Sequence, residues 1–78
     1  GSPLEDLVRK YDELVKTYEK LVEEFKKAVD KYDKAVKKAP VSKEATDSLD
    51  LIRKVLELLD RNLKLIKENA KLIKELLK

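Results

Sequence analysis

Valine returns every seventh residue through the first half of the chain, at Val8, Val15, Val22, Val29 and Val36. Leu7, Leu14, Leu21, Ala28 and Ala35 stand immediately before them, and Tyr11, Tyr18, Phe25 and Tyr32 follow the first four by three residues. Seven residues are almost two turns of α-helix, so each of these rows runs along one side of a helical cylinder. From Leu4 the apolar positions step alternately by three and four through Leu7, Tyr11, Leu14, Tyr18, Leu21, Phe25, Ala28, Tyr32, Ala35 and Ala39. In heptad terms Leu4 and the aromatics are a, the Leu/Ala row is d and the valines are e, an apolar face spanning about 100° of the wheel.

Start and stop signals bound this first helix. Ser2, Pro3 and Glu5 supply a capping hydroxyl, a proline at the first helical position and a glutamate three residues after the cap, which together make a capping box. Proline disfavours helix in the residue before it and has no N–H to donate, so Ala39-Pro40 ends the element, predicted over about residues 3–39. A short loop follows at about 40–43. Ser42 is the better N-cap for the second helix, with Glu44 placed at its positive end, although Thr46 or Ser48 would start it a turn later.

The second helix, over about 44–77, keeps the same repeat and broadens it. Ala45, Ile52, Leu59, Ile66 and Ile73 are a, Ser48, Val55, Asn62, Asn69 and Leu76 are d, and Leu49, Leu56, Leu63, Ala70 and Leu77 are e. A further row at g, Leu51, Leu58, Leu65 and Leu72, widens the face to about 160°. So short a connection makes the helices antiparallel neighbours. Folding at Pro40 so that paired numbers sum to about 84 sets Tyr32 by Ile52, Phe25 by Leu59, Tyr18 by Ile66 and Tyr11 by Ile73. The predicted fold is all-α: a single antiparallel two-helix hairpin with heptad repeats that joins a coiled-coil-like multi-helix bundle.

One seam hides only about a third of a helix circumference, so most of the g and d rows of helix 2 stay wet in a lone hairpin. Four exposed leucines forfeit about 1.5–3 kcal/mol each, comparable to the whole stability of a small domain. The expected partner is therefore the chain itself. Residues expected to pack the hairpin are Leu7, Val8, Tyr11, Leu14, Val15, Tyr18, Leu21, Val22, Phe25, Val29, Tyr32 and Val36. Those expected at the oligomer interface are Leu51, Ile52, Val55, Leu58, Leu59, Asn62, Leu65, Ile66, Asn69, Leu72, Ile73 and Leu76. The wider face makes helix 2 the natural inner helix and helix 1 the outer one, in a ring of three or more hairpins, with a dimeric four-helix bundle as the alternative.

Composition removes most chemistry. The 78 residues contain no Cys and no His, which excludes disulfide staples, thiolate or imidazole metal sites and the usual nucleophile–base pairs. Lys and Arg number 19 against 16 Asp and Glu, a net charge of +3 with both signs alternating inside single turns rather than a basic stripe, so no nucleic-acid partner is expected. Charges interrupt every turn, leaving no apolar run of the ~20 residues a membrane span needs, and no membrane insertion is expected. There is no signal-peptide layout, and Gly1-Ser2 has the look of a cleaved expression tag.

Several polar features carry competing readings. Asn62 and Asn69 interrupt the leucine and isoleucine seam one heptad apart. Unpaired there they would cost about 1–3 kcal/mol each, so either symmetry brings copies together to hydrogen-bond or they lie at a wet edge. Tyr11, Tyr18 and Tyr32 have core spacing, with Thr17 and Ser48 as contacts for them. The carboxylates fall in helical pairs with cations four residues on: Glu5/Arg9, Asp6/Lys10, Asp12/Lys16, Glu23/Lys27, Asp30/Lys34, Asp50/Lys54, Glu57/Arg61 and Asp60/Lys64. No sheltered acid or convergent oxygen cluster emerges, so no catalytic residue, cofactor site or metal site is expected.

Strict heptads, a proline-and-serine loop, acidic helix starts, lysine-rich ends and single asparagines in a leucine seam together resemble de novo designed helical-hairpin oligomers. That resemblance implies a synthetic structural protein without natural activity, built as concentric rings of helices, and in larger rings a central channel. Two rival functions stay open: a pore scaffold whose lumen is lined by the charged rows of helix 2, and one half of a designed heterodimer.

Overall fold

The computed structural model describes residues 1–39 and 42–78 and contains two long helices, α1 (Pro3–Lys38) and α2 (Lys43–Leu76). Pro40 and Val41, where the sequence places the fold-back, lie outside the described residues. The molecule is a rod of 58 × 15 × 14 Å.

Both helix starts are capped as their sequences dictate. The Glu5 N–H donates to Ser2 Oγ at 3.1 Å, and the Ser2 hydroxyl donates to Glu5 Oε1 at 3.3 Å. Serine thus serves an otherwise orphaned helix donor, with Pro3 and the carboxylates of Glu5 and Asp6 in the first turn. At α2 the Ala45 N–H donates to Ser42 Oγ at 3.2 Å, which fixes the start at Lys43 rather than a turn later. Thr17, expected beside the tyrosines, instead donates its hydroxyl to the Glu13 carbonyl of its own helix at 2.9 Å. Threonine reaches that carbonyl without leaving its preferred rotamers.

The seam between the helices is centred on the e rows. The four buried side chains among the described residues, Val22 and Val29 on α1 and Leu49 and Ala70 on α2, are all e residues. The a rows flank them half-buried: Tyr11, Tyr18 and Phe25 on one helix, Ala45, Ile52, Leu59, Ile66 and Ile73 on the other. Val8, Val15, Val36, Leu56 and Leu63 of the same rows are half-buried, and Leu77, past the end of α2, is exposed.

Beyond the e rows, on one edge of the seam, the b rows meet in a charged ladder. Asp12 pairs with Lys74 at 2.9 Å, Glu19 with Lys67 at 3.0 Å and Lys26 with Asp60 at 3.3 Å, and Asp33 pairs with Arg53. The residue numbers of all four pairs sum to 86, two more than the expected 84, so each heptad of α1 meets the expected heptad of α2. Sequence spacing assigned Asp12 to Lys16 and Asp60 to Lys64, and the structure turns both carboxylates across the seam instead. Of the expected i,i+4 pairs, Asp30–Lys34 forms at 3.0 Å, while Asp6 takes Arg9 three residues on. A b-row carboxylate beside an antiparallel partner finds a cation on that partner at its own height, and this wins over its own helix.

The ladder's signs encode the register. Sliding α2 by one heptad in one direction sets Glu19 against Asp60 and Lys26 against Arg53. Sliding it in the other sets Lys26 against Lys67 and Asp33 against Asp60. Exposed pairs of this kind contribute about 0.2–1 kcal/mol each, so their main effect is to penalise slipped hairpins rather than to hold the native one. Lys26→Asp should lower stability by about 0.5–1 kcal/mol in chemical denaturation, and adding Asp60→Lys should restore it. A double variant no more stable than the single one would show that the ladder is incidental.

Candidate functional site

Around each helical cylinder the rows run in the order g, d, a, e, b. A seam on a and e therefore has b on one side and d on the other. Antiparallel helices are related by a two-fold axis normal to the plane that contains both, so the two d rows emerge on the same side of the hairpin, opposite the ladder. The result is one continuous apolar face formed by both helices.

Leu7, Leu14 and Leu21 on α1 were expected to pack the hairpin, and they lie on this face at 48%, 49% and 55% exposure. The reason is the shift of the seam toward e, which rotates d out of the joint. Tyr32, also expected to pack the hairpin, is exposed at 37%, whereas Val8, Tyr11, Val15, Tyr18, Val22, Phe25, Val29 and Val36 face α2. On α2 the expected interface set divides. Leu51, Val55, Leu58, Leu65, Leu72 and Leu76 are exposed, and Asn62 and Asn69 are exposed among them. Ile52, Leu59, Ile66 and Ile73 sit half-buried in the seam inside the hairpin.

Two further sets of residues shape the hairpin beyond those expected from the heptads. Leu49, Leu56, Leu63 and Ala70 are the α2 half of the seam, and the signal for them was the valine row they answer, since two e rows of equal length on antiparallel helices mate naturally. The ladder was also legible: Asp12, Glu19, Lys26 and Asp33 carry signs opposite to Lys74, Lys67, Asp60 and Arg53 taken in reverse.

The chain exposes 6285 Å², whereas a globular monomer of 9.1 kDa is expected to expose about 4,900 Å². The surplus of about 1,400 Å² exceeds the roughly 800 Å² that each partner contributes to a standard interface. No buried side-chain polar atom among the described residues lacks a partner, and no buried residue there is polar. The concavities are open grooves. One, of about 500 Å³, runs beside the ladder between Lys16, Glu19, Lys20, Glu23, Lys26 and Lys67. A smaller apolar one of about 240 Å³ lies among Phe25, Ala28, Val29, Tyr32 and Ile52.

Among the described residues no three or more Asp or Glu side chains converge as metal ligands, and no helix is long and apolar enough to cross a membrane. One carboxylate has a displaced pKa. A hydrogen bond from Lys37 is the largest cause holding Asp33 below the ordinary carboxylate range, with Arg53 and the Lys37 charge adding to it against some desolvation. Lys37 reaches Asp33 at 3.1 Å. No protein-family model matches the chain, and neither a curated protein nor a solved structure matches it.

A folded-state pKa below the unfolded one means that Asp33 stabilises the hairpin above the unfolded carboxylate pKa. That contribution is lost as pH falls through the folded value. Thermal unfolding of the wild type should therefore lose stability on acidification through the carboxylate range, and Asp33→Asn should show a shallower loss. Identical pH profiles for the two would mean that the Lys37–Asp33–Arg53 group contributes nothing to folding.

Proposed function

We propose that this chain is a self-assembling structural protein, a homo-oligomeric helical bundle in which copies of the hairpin cover one another's open faces with α2 inside and α1 outside. It has no catalytic role in this reading, and its regularity marks it as a designed sequence. The observation that carries the proposal is the one-sided row of Leu51, Leu58, Leu65 and Leu72, exposed by 63%, 55%, 52% and 58%, beside Leu7, Leu14 and Leu21 of α1. Contiguous apolar surface of this extent is characteristic of interaction sites. The opposite side, by contrast, is saturated with ion pairs.

Native mass spectrometry with light scattering at micromolar concentration and ordinary salt tests it. One homo-oligomeric mass is the expected result. A folded monomer with its leucine rows in water refutes self-assembly, and a smear of masses that resolves only on mixing with a different chain points to half of a heterodimer. Leu58→Glu combined with Leu65→Glu should disperse the oligomer, because an unpaired charge buried at a seam costs about 3–5 kcal/mol. An unchanged mass would remove the g row from the interface.

Asn62→Leu with Asn69→Leu should raise stability toward denaturant by about 1–3 kcal/mol per site and broaden the distribution of subunit numbers. Lower stability with a single unchanged mass would show that the amides supply cohesion rather than specificity.

A further inference from the structure

We infer that the copies associate in a parallel ring of three, related by rotation about an axis along the helices, with Asn62 and Asn69 layered at the axis and the α2 g row of each copy seated on the α1 d row of the next; this rests on the self-association proposed above. Rotation about such an axis keeps every residue at its own height. A residue of α2 therefore meets α1 of the next copy at the same numbers it meets in its own hairpin, where the ladder pairs sum to 86. Leu51, Leu58, Leu65 and Leu72 then fall on Ala35, Ala28, Leu21 and Leu14 of the next copy, each pair also summing to 86. All four exposed leucines find an apolar residue at their own level with no freedom to choose the register.

The charges bordering that contact agree. On α2 the row beyond g is c, and on α1 the row beyond d is g, and in this packing they lie on the same side. At matching heights Asp47 meets Lys38, Arg61 meets Glu24 and Glu75 meets Lys10 of the next copy, all of opposite sign. Among the described residues none of these six has an ion-pair partner inside the hairpin. Glu68 meets the uncharged Thr17, and only Lys54 with Lys31 is a like-charged pair.

The width of the α2 face sets the number of copies. In a ring of three, an inner helix sees its two inner neighbours about 60° apart, with an outer helix beyond each, a span of about 180° that the ~160° apolar face nearly fills. In a ring of six the inner neighbours alone stand about 120° apart, and the charged b and c rows would have to be buried against the outer helices.

With e and a against its own α1 and g against the next α1, the α2 d row points at the axis. Three copies of Asn62 stand there at one height and three of Asn69 about 10 Å further along. Each amide donates one N–H to the next copy and accepts from the previous one, so every side-chain nitrogen and oxygen in both layers has a partner. An antiparallel pair related by a crosswise two-fold centred near Asn62 instead sets Asn69 against Val55 of the second copy and leaves that amide without a polar partner.

The absence of cysteine makes the test direct. Val55→Cys and Asn69→Cys, two d positions, are oxidised separately and as a mixture, with Lys71→Cys as an outward-facing reference and native mass recorded for each. The parallel ring places like residues side by side at the axis, within disulfide reach. Each d-row variant alone should then cross-link ~10²-fold faster than the reference, as expected for an effective concentration in the millimolar range, at a native mass of three chains. Cross-linking confined to the Val55→Cys and Asn69→Cys mixture means antiparallel packing and overturns this arrangement while leaving self-assembly intact. An oligomer in which neither variant cross-links also overturns it, because like d-row residues then do not meet at an axis. Monomeric mass with no acceleration anywhere overturns the self-association itself.

Discussion

Two cylinders touch along one line, and everything else in this molecule depends on where that line falls. Here it falls on the e rows, with Val22, Val29, Leu49 and Ala70 at its centre. Heptad sequences invite a seam centred between a and d, yet the beta-branched valines and the matching leucines at e pull it one row further. That small rotation has a large consequence. It carries the b rows into reach of one another on one edge and drives both d rows out on the other.

The two edges therefore have opposite characters. On one, four interhelical ion pairs recur at heptad intervals and specify which turn of α2 faces which turn of α1. Since each pair is partly exposed, their strength lies in discrimination between registers rather than in cohesion. On the other edge, leucines from both helices lie in water with two asparagines among them. The hydrophobic effect acts in proportion to the apolar area removed from water, so that face holds most of the stabilisation this chain has not yet realised as a single hairpin.

The reading as a self-assembling bundle draws its support from that imbalance. A rod 15 Å thick cannot enclose its own apolar surface, and among the described residues no three or more Asp or Glu side chains converge as metal ligands. Asparagines in such a face reduce stability when buried, and they are compatible with a sequence whose aim is one particular assembly rather than the tightest one.

Much of this was legible in the sequence. The seven-residue repeat fixed two helices, Ser2 and Ser42 fixed their starts, and the mirrored heptads fixed the antiparallel pairing of Tyr11 with Ile73 and Tyr32 with Ile52, because period, capping and reach are local properties of a chain. Local pattern equally implied that Leu51, Leu58, Leu65 and Leu72 exceed what one neighbour can cover. The tertiary structure decided which apolar rows face inward. Leu7, Leu14 and Leu21 have the spacing of core residues and lie outside the seam, while Asp12 and Asp60 have intrahelical cations in range and reach across instead. Rotation of one helix against another changes no local propensity, so only the packing of both helices together fixes it.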